Sequence, residues 1–280
     1  MKKLTIDAII NYIEENLELR NVSIDDLINY SGYSRRYLQM LFKECFNIPV
    51  GKYIQYRRIT RAALFLKLTG MSITEISERL CYDSQQTFTR EFKKNTGYTP
   101  LQFRKSNSWI FKNQTGKKEI NTPFPIPFLC HIKRTEFYGI PVTFSEDIPY
   151  AEHRAKTNKK WTFIREHFLQ SEKTLFISNS IIPRKEDNNR VYIDYIIWST
   201  KKSFPKHNHL IHDGIYAFFR YTGTISEYIS YIKNIYLNVL PYYGLQKNNS
   251  YDLEIIYKHK NDVFVFEYFI PICNENIHMQ

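Results

Sequence analysis

Residues 83–93 read DSQQTFTREFK, a stretch in which polar side chains surround two phenylalanines placed four apart. An α-helix turns once in about 3.6 residues, so Phe88 and Phe92 share one face. That face must meet a domain core, because no other apolar group is present to hold the helix. The opposite side carries polar groups: Gln86, Thr89, Arg90 and Lys93. The stretch therefore predicts a short helix whose outer face offers amide, hydroxyl and guanidinium groups.

This stretch is the second half of an internal repeat. SIDDL (23–27) recurs as SITEI (72–76) at an offset of 49, and one inserted residue then makes the offset 50. Each copy opens on a serine three residues before an acid, which is capping-box spacing. A tight turn follows, and a second helix is predicted to begin at Ser34 in the first copy and at Asp83 in the second. The repeat thus predicts two helix-turn-helix motifs, at 23–46 and 72–95.

The outer face of such a second helix has the chemistry of base recognition. Glutamine can bond adenine in a bidentate manner, arginine can do the same to guanine, and a threonine methyl can touch the thymine methyl. A merely solvated surface is the alternative, but solvated helices usually carry glutamate and lysine instead. The repeat and the amide-rich face together predict insertion of the helix into a DNA major groove.

Charge supports a polyanionic partner. The 280 residues include 39 basic and 28 acidic ones, which gives a net charge of +11 and a pI near 9.3. Such an excess favours double-stranded DNA. Phosphate contacts are predicted at Arg35, Arg36, Lys43, Arg57, Arg58, Arg61 and Lys93. A linking helix over 51–68 would be about 27 Å long. It could place two recognition helices in successive major grooves about 34 Å apart, so one chain would do what a dimer usually does.

Other classes of protein are disfavoured. The four cysteines are far apart, which predicts reduced thiols in a cytoplasmic protein and neither a zinc site nor a redox motif. No apolar run is long enough for a membrane span, so no membrane partner is expected. No nucleophile or phosphate-cradling motif is visible, so we predict no cofactor, no metal and no catalytic residue.

The second half of the chain has a different period. Residues 1–106 are predicted to be helical, and residues 107–129 lose that period and contain three prolines, as a linker would. Beyond residue 130, β-branched and aromatic runs alternate with two helical segments. The order is strand, helix and two strands, twice. This predicts an α+β domain of duplicated βαββ units over 130–280.

Three segments of the first half resemble the AraC/XylS family of bacterial transcription regulators, over about 6–105. They are GYSRRYLQMLFK (32–43), IPVGKYIQYRRITRAALFL (48–66) and YDSQQTFTREFKKNTGYTPLQFRK (82–105). The chain looks most similar to the MarA, SoxS and Rob group. The resemblance implies a DNA-binding regulator, with base contacts at Gln39, Gln85, Gln86, Thr87, Thr89 and Arg90. Arg36 and Met40 stand where that group has Trp and Arg, so we expect the first recognition helix to contribute phosphate contacts.

The second half resembles the GyrI-like effector-binding domain. The resemblance is carried by DGIYAFFRYTG (213–223), IKNIYLNVLP (232–241), YDLEIIY (251–257) and VFEYFIPI (265–272). It implies two βαββ units around a cleft that binds a small lipophilic effector, a cation in the multidrug-binding members. Such members hold the cation with aromatic walls and a buried glutamate. Glu254 matches the glutamate best and Glu267 is a second candidate, with Trp198 and Phe269 as the expected aromatic walls.

Three readings of the second domain stay open on sequence alone. The leading one is a small-molecule sensor that controls an activator. A second is a protein-interaction module that grips RNA polymerase or another protein. A third is a small-molecule hydrolase in which Glu254 serves as a base, although no partner for it is visible.

Overall fold

The computed structural model describes residues 2–110, 112–118, 124–147, 159–169, 174–182, 190–198, 208–260 and 262–273. The chain divides into two compact units. The first unit holds Met1–Ser106 and Phe111–Phe124, and the second holds Asn107–Ile110 and Pro125–Gln280. None of the described helices is both long and apolar enough to cross a lipid bilayer.

The described part of the first unit contains only helices as regular elements. They are α1 (Lys2–Asn16), α2 (Ile24–Ser31), α3 (Arg35–Phe46), α4 (Val50–Leu68), α5 (Ile73–Arg79), α6 (Gln85–Thr96) and α7 (Pro100–Lys105). The pairs α2–α3 and α5–α6 form the two helix-turn-helix motifs.

The capping groups show why the repeat folds in this way. Ser23 and Ser72 each close a capping box with the acid three residues on, so α2 and α5 begin where the sequence indicates. The chain then turns through a left-handed residue in each copy, Gly32 with φ 70° and Cys81 with φ 55°. The cap of α6 differs from the prediction. Ser84, not Asp83, accepts the hydrogen bond of the helix N-terminus, because the inserted residue lengthens the second turn.

Helix α4 is the central helix of the first unit. It has 19 residues, of which 14 are buried, so it is enclosed on nearly all sides. At 1.5 Å per residue it is about 28 Å long. Its C-terminal end is closed by Arg104 of α7, whose Nε donates to the Leu66 carbonyl at 3.2 Å. The neighbouring Phe103 is fully buried, which gives a physical reason for the Phe-Arg pair at the end of this domain.

The predicted linker does not run as one free segment. Residues 108–109 form strand β1 (Ser108–Trp109), which pairs with a strand of the second unit. Residues 112–118, here called the strap, belong instead to the first unit. The Thr115 N–H donates to Thr60 Oγ1 at 2.8 Å, and the Lys118 N–H donates to Tyr53 Oη at 3.3 Å. The chain therefore passes between the units three times, which differs from the predicted single linker over 107–129.

The second unit is a large antiparallel sheet with helices on one face. Its strands after β1 are β2 (Phe128–Ile132), β3 (Thr135–Asp147), β4 (Thr174–Ile182), β5 (Arg190–Trp198), β6 (Asn208–Ile211), β7 (Gly214–Gly223), β8 (Lys247–Asn248), β9 (Asp252–Lys260) and β10 (Val263–Ile272). Its helices are α8 (Lys159–Leu169), α9 (Ile225–Asn234), a π-helical turn (Ile235–Val239) and α10 (Leu240–Tyr242).

The strand order confirms the predicted duplication. In β3-α8-β4-β5 the spatial order is β3-β5-β4, and in β7-α9-β9-β10 it is β7-β10-β9. The two βαββ units join where β4 pairs with β9. Strand β2 precedes the first βαββ unit but pairs with β7 of the second. Strand β6 precedes the second βαββ unit but pairs with β3 of the first.

The register assigns each side chain to one of two faces, because neighbours along a strand point in opposite directions. Glu254 lies opposite Tyr268 on β10 and Ile177 on β4. This face, here called the helix face, packs against α8 and α9: Tyr228 stacks on Phe266 with ring centroids 3.7 Å apart. The other face, here called the far face, carries the side chains that alternate with these.

Candidate DNA interface and effector site

The outer face of α6 is built as the sequence predicts. Phe88 and Phe92 have no exposed surface and anchor the helix in the core. Gln86, Arg90 and Lys93 are exposed on the other side. The hydrogen-bonding ends of these side chains are therefore open to a ligand as large as a DNA duplex.

The first turn of α6 is fixed by hydrogen bonds to its surroundings. Gln85 Oε1 accepts a bond from Thr74 Oγ1 of α5 at 2.7 Å, and the Thr87 N–H donates to Ser84 Oγ at 3.1 Å. Thr89 is half-buried one turn further on. These three predicted base contacts lie at the N-terminal end of the helix, where recognition helices meet base edges.

Helix α3 presents a comparable face. Arg36, Met40 and Lys43 are exposed and Gln39 is half-buried. Arg35 is exposed too, and its Nη2 lies 2.6 Å from Asp25 Oδ1 in an ion pair whose two side chains are 56% and 71% exposed. Such an exposed pair is worth about 0–1 kcal/mol, so a phosphate could replace the aspartate at little cost.

Three arginines predicted to contact phosphate lie inside the first unit instead. Arg57 has no exposed surface: its Nε and Nη2 donate to the Glu14 carboxylate at 2.6 and 2.5 Å, and its Nη1 donates to the Thr115 carbonyl at 2.6 Å. The prediction for Arg57 is wrong, because every arm of its guanidinium is used within the domain.

Arg58 and Arg61 are buried as well, so the prediction that they contact phosphate is wrong because water and a DNA backbone do not reach them. The Arg58 guanidinium bonds Asn21 and lies 4.9 Å from the centre of the Tyr82 ring. Arg61 pairs with Glu18 at 3.1 Å. Helix α4 therefore holds the two helix-turn-helix motifs together from within and does not present these arginines to a phosphate backbone.

The buried ion pair sets the ionisation of Glu14. Burial is the largest single influence and would raise the Glu14 pKa, but the charge and hydrogen bonds of Arg57, together with the charges of Arg61 and Lys117, outweigh it, so the pKa lies below its usual value. Glu14 is therefore charged in the folded unit at neutral pH.

In the second unit, Glu254 lies on β9 and faces the helix face, where its side chain is 0% exposed. Its Oε2 atom is 3.0 Å from Lys160 Nζ, on the first turn of α8. That ammonium also lies 4.5 Å from the centre of the Trp161 ring and 4.5 Å from the centre of the Tyr195 ring. One carboxylate and two aromatic rings therefore surround a cation at this point.

A phenol lies next to the same carboxylate. Burial, and then the negative charge of Glu254, raise the Tyr228 pKa well above its usual value. A hydrogen bond between the Tyr228 hydroxyl and the Glu254 carboxylate contributes to the same shift. The carboxylate is thus flanked by an ammonium and a phenol.

The other predicted effector residues lie on the far face. Phe269 pairs with Leu253, the neighbour of Glu254, and so points away from it. Trp198 stacks on Phe137 with ring centroids 4.2 Å apart. The structure therefore does not bring Trp198 or Phe269 together with Glu254, and that part of the prediction is wrong because the strand register separates them.

Glu267 belongs to the far face as well. It accepts a hydrogen bond from Tyr257 Oη at 3.1 Å and lies 3.9 Å from Arg220 Nε. These neighbours engage the carboxylate at a partly exposed position. Glu267 is therefore no second carboxylate for the Glu254 site.

Sequence reasoning missed a second buried carboxylate on the helix face. Asp252 Oδ1 is 2.8 Å from Lys247 Nζ, and its Oδ2 accepts from Tyr268 Oη at 2.9 Å and from Tyr236 Oη. The spacing of two from Glu254 on a strand was the available signal, since such residues share a face. A polar groove of about 540 Å³ lies elsewhere in this unit, lined among others by Asn107, Asn248 and Tyr251, and includes none of the predicted effector residues.

Comparisons with known proteins agree with this architecture. Residues 27–106 match the helix-turn-helix domain family, and residues 122–272 match the GyrI-like small molecule binding domain. The F1 operon positive regulatory protein of Yersinia pestis is 39% identical over 278 residues, covering 98% of this chain and 90% of that protein. The transcriptional regulator Rob of Salmonella typhimurium is 26% identical over 255 residues, covering 88% of each.

A third relative covers the first half alone. The HTH-type transcriptional activator AarP of Providencia stuartii is 38% identical over 103 residues, which cover 37% of this chain and 76% of that protein. The predicted fold class and the predicted function as a DNA-binding regulator with a small-molecule-binding domain are confirmed. The chain belongs to the AraC/XylS family of transcription regulators, among the members that carry a C-terminal GyrI-like small-molecule-binding domain.

Proposed function

We propose that this protein activates transcription by binding one DNA site as a single chain and engaging RNA polymerase. The observation that carries the proposal is the pair of capped helix-turn-helix motifs, each of which holds a polar outer face away from its core. Base contacts come from Gln39 and from the outer face of α6, and phosphate contacts come from Arg35, Arg36, Lys43 and Lys93. The names of the relatives, a positive regulatory protein and an activator, favour activation over repression.

Footprinting and native mass spectrometry on the same DNA test the binding mode. A single chain should protect a site of about two helical turns without palindromic symmetry. Two chains on the minimal site would contradict the proposal. Transcription from that DNA with purified bacterial RNA polymerase should rise when the protein is added, and a fall would make it a repressor.

For the second unit we propose a small lipophilic effector that binds on the helix face, with its cationic group at Glu254. Support comes from the buried carboxylate and from the Tyr195 and Trp161 rings around it. A cation over an aromatic face gains about 0.5–2 kcal/mol, more when the site is dry. Glu254→Gln should weaken a cationic probe and spare a neutral one. Trp198→Leu, on the far face, is the matched control and should affect neither.

The far face favours a second candidate function, that of a protein-interaction surface. Phe128 is 68% exposed and Phe176 is 42% exposed on it. If Trp198→Leu lowers transcription while probe binding and DNA binding are unchanged, polymerase engagement through this face is the better account.

We propose a cytoplasmic location and no catalytic activity. No disulfide joins any two of the four cysteines, as expected for a reducing compartment. The relatives named above are regulators, which favours a sensor over a hydrolase. Incubation of the protein with ester probes, followed by product analysis, would reveal a hydrolase.

A further inference from the structure

The Lys160 ammonium makes the contacts by which proteins recognise an organic cation. It lies 3.0 Å from a carboxylate oxygen and 4.5 Å from each of two ring centres. Aromatic faces and a nearby carboxylate are the usual partners of ammonium ligands. Here the cation belongs to the protein itself.

Stability gives no sufficient reason for this arrangement. The Lys160 side chain is 9% exposed and the Glu254 side chain 0% exposed. A buried ion pair often stabilises a protein no more than an apolar pair of the same volume, because both charges lose water. The lysine compensates the negative charge of Glu254, but a methionine in place of Lys160 and a glutamine in place of Glu254 would fill the same space without any charge.

The carboxylate has a second partner besides Lys160. The buried Tyr228 hydroxyl forms a hydrogen bond with Glu254. Glu254 would therefore keep one donor if the ammonium of Lys160 were replaced by that of a ligand.

The position of Lys160 in its helix allows the ammonium to move away from Glu254. It is the second residue of α8, so its ammonium is carried by a four-carbon stem at a helix end. Such a side chain can move its charge to water while its stem stays on apolar surface. The helix need not move for the carboxylate to become available.

We propose that Lys160 is an internal competitor for the effector: its ammonium occupies the place between Glu254 and the Tyr195 and Trp161 rings that the cationic group of a ligand takes. This inference rests on the proposed effector site. It adds that the cationic group of the ligand must displace the lysine, so Lys160 sets the threshold affinity of the sensor.

The test compares two probes of equal shape, the N-methyl-phenylpyridinium ion and its uncharged isostere methylbiphenyl, by calorimetry on the full chain. Lys160→Met removes the competitor and should tighten binding of the cation about 10-fold, which corresponds to about 1.4 kcal/mol. Binding of methylbiphenyl should change less than about 3-fold, below about 0.7 kcal/mol. Lys233→Met, at an exposed position on α9, is the control and should leave both affinities unchanged.

Two further measurements cover a variant that folds poorly. If Lys160→Met is unstable, the pyridinium ion should raise its melting temperature more than methylbiphenyl does. The double variant Lys160→Met with Glu254→Gln has no charge in the site and should lose the preference for the cation. Equal cation affinity in wild type and folded Lys160→Met, or no rescue of an unstable one, overturns the role of Lys160. If neither probe binds the wild type or any of the variants, the effector site itself is refuted.

Discussion

Replacing Glu14 by glutamine should destabilise the first unit strongly without changing its surface. The two side chains of the Arg57–Glu14 pair are 0% and 2% exposed, so the guanidinium would stay buried next to a neutral amide. Removing one partner of a buried pair costs about 3–5 kcal/mol. Glutamine keeps one carbonyl oxygen as an acceptor, so we expect a loss near the lower end, about 3 kcal/mol.

A double variant separates the charge from the packing. Glu14→Leu with Arg57→Met removes both charges, so it should recover most of the loss. A deficit of about 1 kcal/mol should remain, because the Thr115 carbonyl loses its donor. DNA affinity of the double variant should show an unchanged salt dependence, since Arg57 has no exposed surface.

The stability of the first unit at acidic pH should depend on the same Arg57–Glu14 pair. The Glu14 pKa is lower in the folded unit than its usual value of 4.5, so the folded state holds its proton less tightly than the unfolded chain. The contribution of Glu14 to stability is therefore present above about pH 4.5 and is lost as the pH falls below it. Glu14→Gln should weaken the dependence of stability on pH in that acidic range.

Urea unfolding followed by two signals provides the assay. Circular dichroism follows the helices, most of which belong to the first unit, and Trp109, Trp161 and Trp198 all belong to the second. Glu14→Gln should shift the dichroism transition. A loss below about 1 kcal/mol, together with a smaller salt slope for Arg57→Met, would show that Arg57 contacts phosphate and that its burial has been misjudged.

Three further outcomes are expected. Arg90→Ala should cost about 1–3 kcal/mol of DNA binding and relax selectivity at one base pair, measured on single-base variants of the site; a uniform loss would limit Arg90 to phosphate. Arg36→Ala should weaken binding to all sequences and reduce the salt slope by about one, whereas lost discrimination at an unchanged slope would make it a base reader. Cys81→Gly should raise thermal stability by about 0.5–1 kcal/mol, because Cys81 has φ 55°; lower stability would mean that the thiol packing matters more.

Local signals in the sequence were sufficient for the first unit. A serine, an acid three residues later and a pair of phenylalanines one turn apart involve neighbours on one helix, so their geometry follows from the period alone. Arg57 shows the limit of prediction from local patterns. Its partners are Glu14 and Thr115, 43 and 58 residues away, and no pattern around an arginine tells whether such partners exist.

The proposed effector site illustrates a second limit. Alternation along β9 separates Glu254 from Leu253, but the face on which each strand places its odd residues depends on register with its neighbours. Phe269 and Trp198 were therefore assigned to the wrong side of the sheet. Lys160 was missed because it is 94 residues from its carboxylate.

The strap at residues 112–118 has a consequence for how the two domains can be separated. Neither domain is one continuous length of chain: a cut after residue 106 deprives Arg57 of the Thr115 carbonyl, and a cut after residue 124 deprives strand β8 of strand β1. In the intact protein the strap behaves as a ligand tethered at both ends, whose effective concentration at the first domain is fixed by the chain on either side. A free peptide of the same sequence would have to be added at a high concentration to replace it. The helix-turn-helix domain thus includes a peptide segment, residues 111–124, that is joined to the second domain at both of its ends.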